Sequence, residues 1–204
     1  MKKFALLLIG IMPLFAQSQS ALMDSLIWLN YQYRISENAE FADSSHSPLT
    51  EEDRQHFYSL NWFPIDTNFI VWASLELTPE AKPFEMPTTT DRMAKYRQYA
   101  FLTFSLSDSI FKIPVYQNLR LLGKKGYEDY LFLPFTDLSN GFGTYGGGRY
   151  LDFRMPPGDS LLIDFNRAYN PYCAYNGRYS CPIPPPKNHI NFKIKAGVRY
   201  EVTH

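Results

Sequence analysis

The chain has 204 residues, with 20 Lys plus Arg against 20 Asp plus Glu, a balance that excludes a long-range field drawing it to nucleic acid or to an anionic membrane. Aromatic residues make up 17% of it, with 15 Tyr, 16 Phe and 3 Trp beside 15 Pro and 11 Gly. That is the vocabulary of strands and turns, and it argues against a helix bundle.

The first stretch, MKKFALLLIGIMPLFAQSQS, has a charged start at Lys2 and Lys3, a short apolar run from Phe4 to Phe15, and small residues two apart in Ala16-Gln17-Ser18. It reads as a secretory signal peptide over residues 1–18, cleaved after Ser18 or, alternatively, after Ser20. The apolar run falls short of the roughly 20 residues that span a bilayer, so no stable membrane insertion is expected after cleavage. The mature protein is therefore expected to be exported, periplasmic or extracellular. Residues 19–204 are a suitable length for a single β-rich domain with one core.

From Leu22 the pattern Leu22, Leu26, Leu29, Tyr33 predicts an amphipathic helix packed across the core. Glu37 to Pro48 is polar and loses that period. Thr50-Glu51-Glu52-Asp53 then resembles a capping box, with Asp in place of Glu or Gln, opening a short helix through Phe57 to Leu60. Beyond Asn61-Trp62-Phe63-Pro64 the period becomes two. Strands are predicted at Phe69 to Leu77 and around Ala100 to Leu106, the latter turning at Ser107-Asp108 into Phe111, Ile113 and Val115. Further strands are predicted at Tyr130 to Phe135, Arg149 to Phe153, Ser160 to Phe165, and at Ile190, Phe192 and Ile194. The fold class is mainly β: an antiparallel β-sandwich or flattened barrel with one or two N-terminal helices.

Chemistry is concentrated between Asn140 and Asn188. Gly141-Phe142-Gly143-Thr144-Tyr145-Gly146 satisfies the spelling of a dinucleotide fingerprint, but Met155-Pro156-Pro157-Gly158 leaves no room for the helix that must follow. A glycine-rich turn between strands explains the run better, and no cofactor is implied. Cys173 and Cys181, with Asn176-Gly177 between them, are expected to form a disulfide in an exported protein, contributing about 2–3 kcal/mol. With His189 the only nearby imidazole, no metal is expected. Asp137, Asp152 and Asp164 are possible paired carboxylates, although turn carboxylates more often bind backbone or Arg. The candidate ligand-binding set is Arg149, Tyr150, Asp152, Asp164, Asn166, Tyr169, Asn170 and Tyr175. Asn188 belongs to the same polar group. Such residues either satisfy one another beneath loops or line a concave site. If Pro156-Pro157-Gly158 makes a hairpin of the two strands flanking it, Arg149 comes within reach of Asp164, and Asn166, Tyr169 and Asn170 join one patch.

Several runs resemble a known family: Trp62-Phe63-Pro64-x-Asp66, Leu133-Pro134-Phe135-x-Asp137, Thr144-Tyr145-Gly146-x-Gly148-Arg149-Tyr150-Leu151, Asp164-Phe165-Asn166-x-Ala168-Tyr169-Asn170-Pro171-x-Cys173-Ala174-Tyr175, and Cys181-Pro182-x-Pro184-Pro185-x-x-Asn188. Together they are similar to the bacterial family catalogued as domain of unknown function 1684. The resemblance covers most of the mature chain. It implies one intact domain, with the C-terminal block as its signature, and it carries no established activity.

Three readings follow. The first is a non-catalytic binding domain for a small polar ligand or peptide, its pocket formed by the glycine-rich turn and the Cys173 to Cys181 loop. The second is a hydrolase of an envelope or nutrient substrate, with Asp152 or Asp164 as general base and Arg149 steadying an anionic transition state. The third is a structural or interaction module whose polar residues only lock loops together. A pocket carboxylate of raised pKa favours the second, and a filled hydrogen-bonded network favours the third.

Overall fold

This computed structural model describes residues 12–200, and side chains from residue 21 onward. Helix α1 spans Met12–Ala42 and the short α2 spans Glu51–Gln55. The strands are β1 (Ile70–Leu77), β2 (Phe84–Pro87), β3 (Met93–Leu106), β4 (Ser109–Asn118), β5 (Tyr130–Asp137), β6 (Arg149–Arg154), β7 (Ser160–Asp164) and β8 (His189–Ile190). Among the described residues they form one eight-stranded sheet in the order β6-β5-β4-β3-β1-β7, with β2 on β3 and β8 on β5. Every pairing is antiparallel except β5 with β8. The protein is mainly β, its sheet curled into a half-barrel with an N-terminal helix.

β3 explains how one sheet serves two faces. Its second half pairs with β1 and its first half with β2, and the register to β4 slips between Gln98 and Ala100. A bulge inserts one residue and so exchanges the faces on either side of it. Tyr96 accordingly packs with Tyr116, Phe132 and Tyr150, whereas Ala100, Leu102 and Phe104 pack with Val115, Leu131, Leu133 and Leu151. The second set is the main core, closed by Phe165, Ala168, Ile190, Ile194 and Ala196. The aromatic set lies on the opposite face, because Tyr116, Phe132 and Tyr150 alternate along their strands with the core residues Val115, Leu131 and Leu151.

Several expectations change. The strands flanking Pro156-Pro157-Gly158 do not form a hairpin: β6 pairs with β5, and β7 with β1. Curling instead brings the segment after β7 to β6, where Tyr150 and Tyr169 exchange backbone bonds of 2.9 and 3.1 Å. Only His189–Ile190 pairs as a strand near the C-terminus, because the Phe192 amide turns back to the Ile190 carbonyl. Beyond Ile190, which pairs with Asp137, the alternation through Phe192 and Ile194 records one-sided burial rather than a continued strand. α1 does not stop at Glu37 but runs to Ala42, and it exposes Leu22 and Leu29 rather than crossing the core. α2 is capped as expected, with the Asp53 amide 3.1 Å from the Thr50 hydroxyl, but ends at Gln55. β2 was not expected at all.

The glycine-rich stretch is indeed a turn between strands. Gly148 shows why it needs glycine: φ is +93°, and a Cβ there would stand 2.6 Å from the Phe135 carbonyl oxygen. The expected signal peptide, residues 1–18, falls partly outside the described residues. No described helix is long and apolar enough to cross a membrane.

Candidate functional site

A cavity of about 700 Å³ lies over the aromatic face of the sheet. α1 walls it with Leu26, Leu29, Tyr33, Glu37, Glu40 and Phe41. The sheet contributes Tyr96, Phe132, Tyr150 and Asp152, and the segment after β7 supplies Tyr169 to Tyr172, Tyr175 and Tyr179 to Pro182. Its size suits a small-molecule site.

Helix α1 is tied down by polar contacts that need partners far along the chain. The Asn30 amide donates to Asp164 at 2.6 Å, the Tyr33 hydroxyl to the Arg167 carbonyl at 3.2 Å, and Arg34 to the Phe63 carbonyl at 2.9 Å. Positions 33, 37, 40 and 41 recur at helical spacing, so one stripe of α1 faces the cavity.

Asp152 is the centre of the site. Its register partner on β5 is Phe132, which places Tyr130, two residues earlier on the same face, within reach. The Tyr130 hydroxyl donates to one carboxylate oxygen at 2.7 Å and the Tyr169 hydroxyl to the other at 2.9 Å. Tyr169 arrives there because its backbone is bonded to Tyr150, two positions from Asp152. The carboxylate is accessible, yet protein surrounds it on most sides, because the solvent it meets is that of the cavity. Desolvation therefore raises its pKa, against the two phenol donors and Arg154, which lower it. Arg154 itself is paired with Asp129 at 2.7 Å.

Glu37 faces the same cavity, and burial, then the charges of Glu40 and Asp152, push its carboxyl up to about 7. Glu40 accepts from the Tyr172 hydroxyl at 2.8 Å. Tyr33 and Tyr169 are held well above the usual phenol range, first by burial, and stay protonated.

The eight expected ligand-binding residues divide. Tyr150, Asp152, Asp164, Tyr169, Asn170 and Tyr175 all line the cavity. Arg149 and Asn166 do not. Arg149 has no exposed surface and pairs with Asp137, not Asp164, at 2.7 Å. It also donates to the Ile194 carbonyl at 2.9 Å and to the Ala196 carbonyl. Its expected pairing fails because β6 and β7 are not neighbours and Arg149 points to the core face. Asn166 is spent on both backbone groups of Asp66, at 2.9 Å each, clamping the segment before β1. Asp164 caps the turn Phe165–Arg167 through the Asn166 amide at 3.0 Å and lies 3.6 Å from Arg167. Asn188 is likewise structural, accepting from Tyr116 at 2.7 Å.

The expected disulfide is absent. Cys173 and Cys181 are free thiols, and the Cys181 sulfur accepts the Cys173 backbone N–H at 3.2 Å. The loop is held without a covalent link, since Cys181 exchanges bonds with Thr89 at 2.9 and 3.1 Å and Ile183 donates to the Pro87 carbonyl at 2.8 Å. Burial pushes the Cys181 thiol up to about 12, which makes it a poor nucleophile. The glycine-rich turn expected to form the pocket does not line it.

Sequence reasoning placed Tyr33 on the core-facing stripe of the helix and missed Glu37 and Glu40. Their helical spacing was present, but the polar residues that face a cavity were taken for the end of the helix.

Comparison with known proteins agrees with this architecture without naming a reaction. An uncharacterized protein of Haloarcula marismortui, solved in solution by NMR, superimposes with a TM-score of 0.70 at 28% identity, covering 92% of this chain and 99% of that one. No curated protein matches. The family described as "Protein of unknown function (DUF1684)" matches residues 55–199, from the end of α2 to the segment closing the core. The chain belongs to that DUF1684 family.

Proposed function

We propose that the protein is a non-catalytic binding domain for a small polar ligand, taken up in the cavity between α1 and the aromatic face of the sheet. One observation carries this reading: a cavity of about 700 Å³ is lined by tyrosines, with Asp152 fixed in its wall by two phenol hydroxyls. Positioned polar groups in an otherwise aromatic concavity are what a ligand site requires, and a network serving only to lock loops would leave no such space. A peptide terminus is a possible ligand on the same grounds. The test is a thermal-shift screen of small polar metabolites, repeated on Leu26→Trp, which narrows the cavity from α1, with circular dichroism as the fold check. Binding by the wild type that Leu26→Trp abolishes supports the reading. No binding, or binding that Leu26→Trp leaves unchanged, overturns it.

Hydrolysis is the second reading, favoured by two carboxyls of raised pKa, Asp152 and Glu37, on one cavity. Asp152 would act as general base, while Arg149, sealed in the core, has no part in it. Turnover of a bound ester or glycoside that Asp152→Asn abolishes, with binding retained, would establish it over the first.

Residues 1–18 are proposed to direct export and to be removed, on the strength of their charged, apolar and small-residue regions. Mass spectrometry of exported material decides this, and recovery of an intact Met1 overturns it.

A further inference from the structure

We propose that the ligand of this cavity is an organic cation, a small molecule bearing a protonated amine or a quaternary ammonium group. This deepens the binding-domain reading and rests on it.

Charge is the first ground. The charged residues lining the cavity are Glu37, Glu40, Asp152 and Asp164 against Arg167 alone. Arg167 lies 3.6 Å from Asp164 and over the Tyr33 ring at 5.5 Å, so that pair offsets itself. Asp152 and Glu40 have phenol hydroxyls as partners but form no ion pair among the described residues, and the same holds for Glu37 without a hydroxyl. Three carboxyls gathered in a partly desolvated space repel an anion and attract a cation.

Hydrogen-bond direction is the second, independent ground. Of the seven lining tyrosines, four spend their hydroxyls as donors to the protein, Tyr33 to the Arg167 carbonyl, Tyr150 to the Pro182 carbonyl, Tyr169 to Asp152 and Tyr172 to Glu40, whereas Tyr96, Tyr175 and Tyr179 accept from Asn118, Asn170 and Arg178. Asn170, only 1% exposed, gives its amide N–H to Tyr175 and leaves its amide oxygen without a partner. The lining therefore offers ring faces, phenol lone pairs and carboxylate oxygens, against the three phenol donors of Tyr96, Tyr175 and Tyr179. An anion needs only donors and here meets mostly acceptors. A cation needs what is there, since ring faces attract it and carboxylates complete its charge.

Isothermal titration with choline and with 3,3-dimethylbutan-1-ol, its uncharged near-isostere, and with benzylamine against benzyl alcohol, tests the assignment. The cation of at least one pair should bind ~10-fold or more tightly than its neutral counterpart. Asp152→Asn and, separately, Glu40→Gln, an exposed residue on the cavity stripe of α1, should each reduce that preference, so that misfolding of one variant leaves the other as a test. Affinity for the cation should also rise between pH 6 and 8 as Glu37 ionises, facing Tyr33 and Glu40 on its own helix, Asp152 on β6, and Tyr172 and Tyr175 from the loop. Equal binding of neutral and cationic partners, or a preference untouched by both variants, overturns the cation assignment while leaving the binding site in place. Failure of all four probes, with an anionic or neutral metabolite bound instead and displaced by Leu26→Trp, does the same. If nothing binds at all, the binding-domain reading falls with it.

Discussion

Arg149 and Asp152 stand three positions apart on β6, and the pleat sends them to opposite faces of the sheet. On the core face, Arg149 is sealed from solvent with Asp137 and two carbonyls around it. Asp137 is used as fully, accepting from the Ser139 amide at 2.7 Å and the Ile194 amide at 3.3 Å. On the cavity face, Asp152 has two phenol donors and spare lone pairs turned toward open space. The same strand thus spends one charged residue on holding the C-terminal segment to the sheet and keeps another for a ligand. Sequence alone shows two charged residues in a signature block, and only the partner across each face distinguishes brace from site.

Removing the brace should give the largest effect. Arg149→Leu strands the Asp137 carboxylate in the core, and breaking a buried pair from one side costs about 3–5 kcal/mol. Urea denaturation measures it, with Asp152→Asn as the matched control on the cavity face. The control should change stability by less than about 1 kcal/mol, because it replaces a carboxylate whose charge is already disfavoured. Equal losses from the two variants would erase the distinction between the faces.

A smaller effect should come from Glu37, whose carboxyl is raised from its ordinary 4.5 to about 7. The unfolded chain ionises this group near its ordinary value, while the folded chain resists ionisation until about 7. Its stabilising contribution is therefore complete below about pH 4.5 and is lost as pH rises through about 7. Glu37→Gln cannot ionise and escapes that loss. The variant should match the wild type at pH 4 and exceed it at pH 8 by about 1–2 kcal/mol, a figure reduced because the group is only half-buried. Denaturation at the two pH values checks the sign. A variant less stable than the wild type at pH 8 would mean that ionised Glu37 is welcome in the cavity wall, contrary to the contrast drawn with Arg149.

Much of the sheet was legible because period-two alternation is a local consequence of having one buried face. β1, β4, β5, β6 and β7 appear close to where Phe69, Phe111, Tyr130, Arg149 and Ser160 announced them. β2 was hidden because Phe84–Pro87 is short and bounded by Pro83 and Pro87, residues that locally signal a turn. Pairing was illegible for a different reason: Pro156-Pro157-Gly158 fits a hairpin, and only curling of the whole sheet decides that β7 joins β1. The candidate patch survived that error in part, since Tyr169 reaches Tyr150 and Asp152 through the bridge to β6 and Asp164 lines the same cavity. Arg149 and Asn166 were misread because their partners, Ala196 and Asp66, lie 47 and 100 positions away. Glu37 and Glu40 were overlooked because they interrupt the apolar period of the α1 stripe that faces the cavity.

The smallest effect concerns the loop that forms the far wall of the cavity. With both thiols free and the Cys181 sulfur accepting the Cys173 backbone amide, Cys173→Ser leaves that hydrogen bond in place, because its donor is main chain. The substitution also spares the bonds between Cys181 and Thr89 that anchor the loop to the end of β2. Stability should change by less than about 1 kcal/mol, since the half-buried Cys173 touches only the edge of the aromatic cluster and serine nearly matches its size, and the melting temperature should not respond to reductant. Two thiols should titrate in denaturant without prior reduction. In the folded protein Cys173 should be alkylated well before Cys181, whose thiol burial pushes up to about 12 and so keeps protonated at pH 8. A loss of about 2–3 kcal/mol that vanishes under reductant, the size expected for closing so short a loop covalently, would show instead that this wall is braced as firmly as the core face is by Arg149.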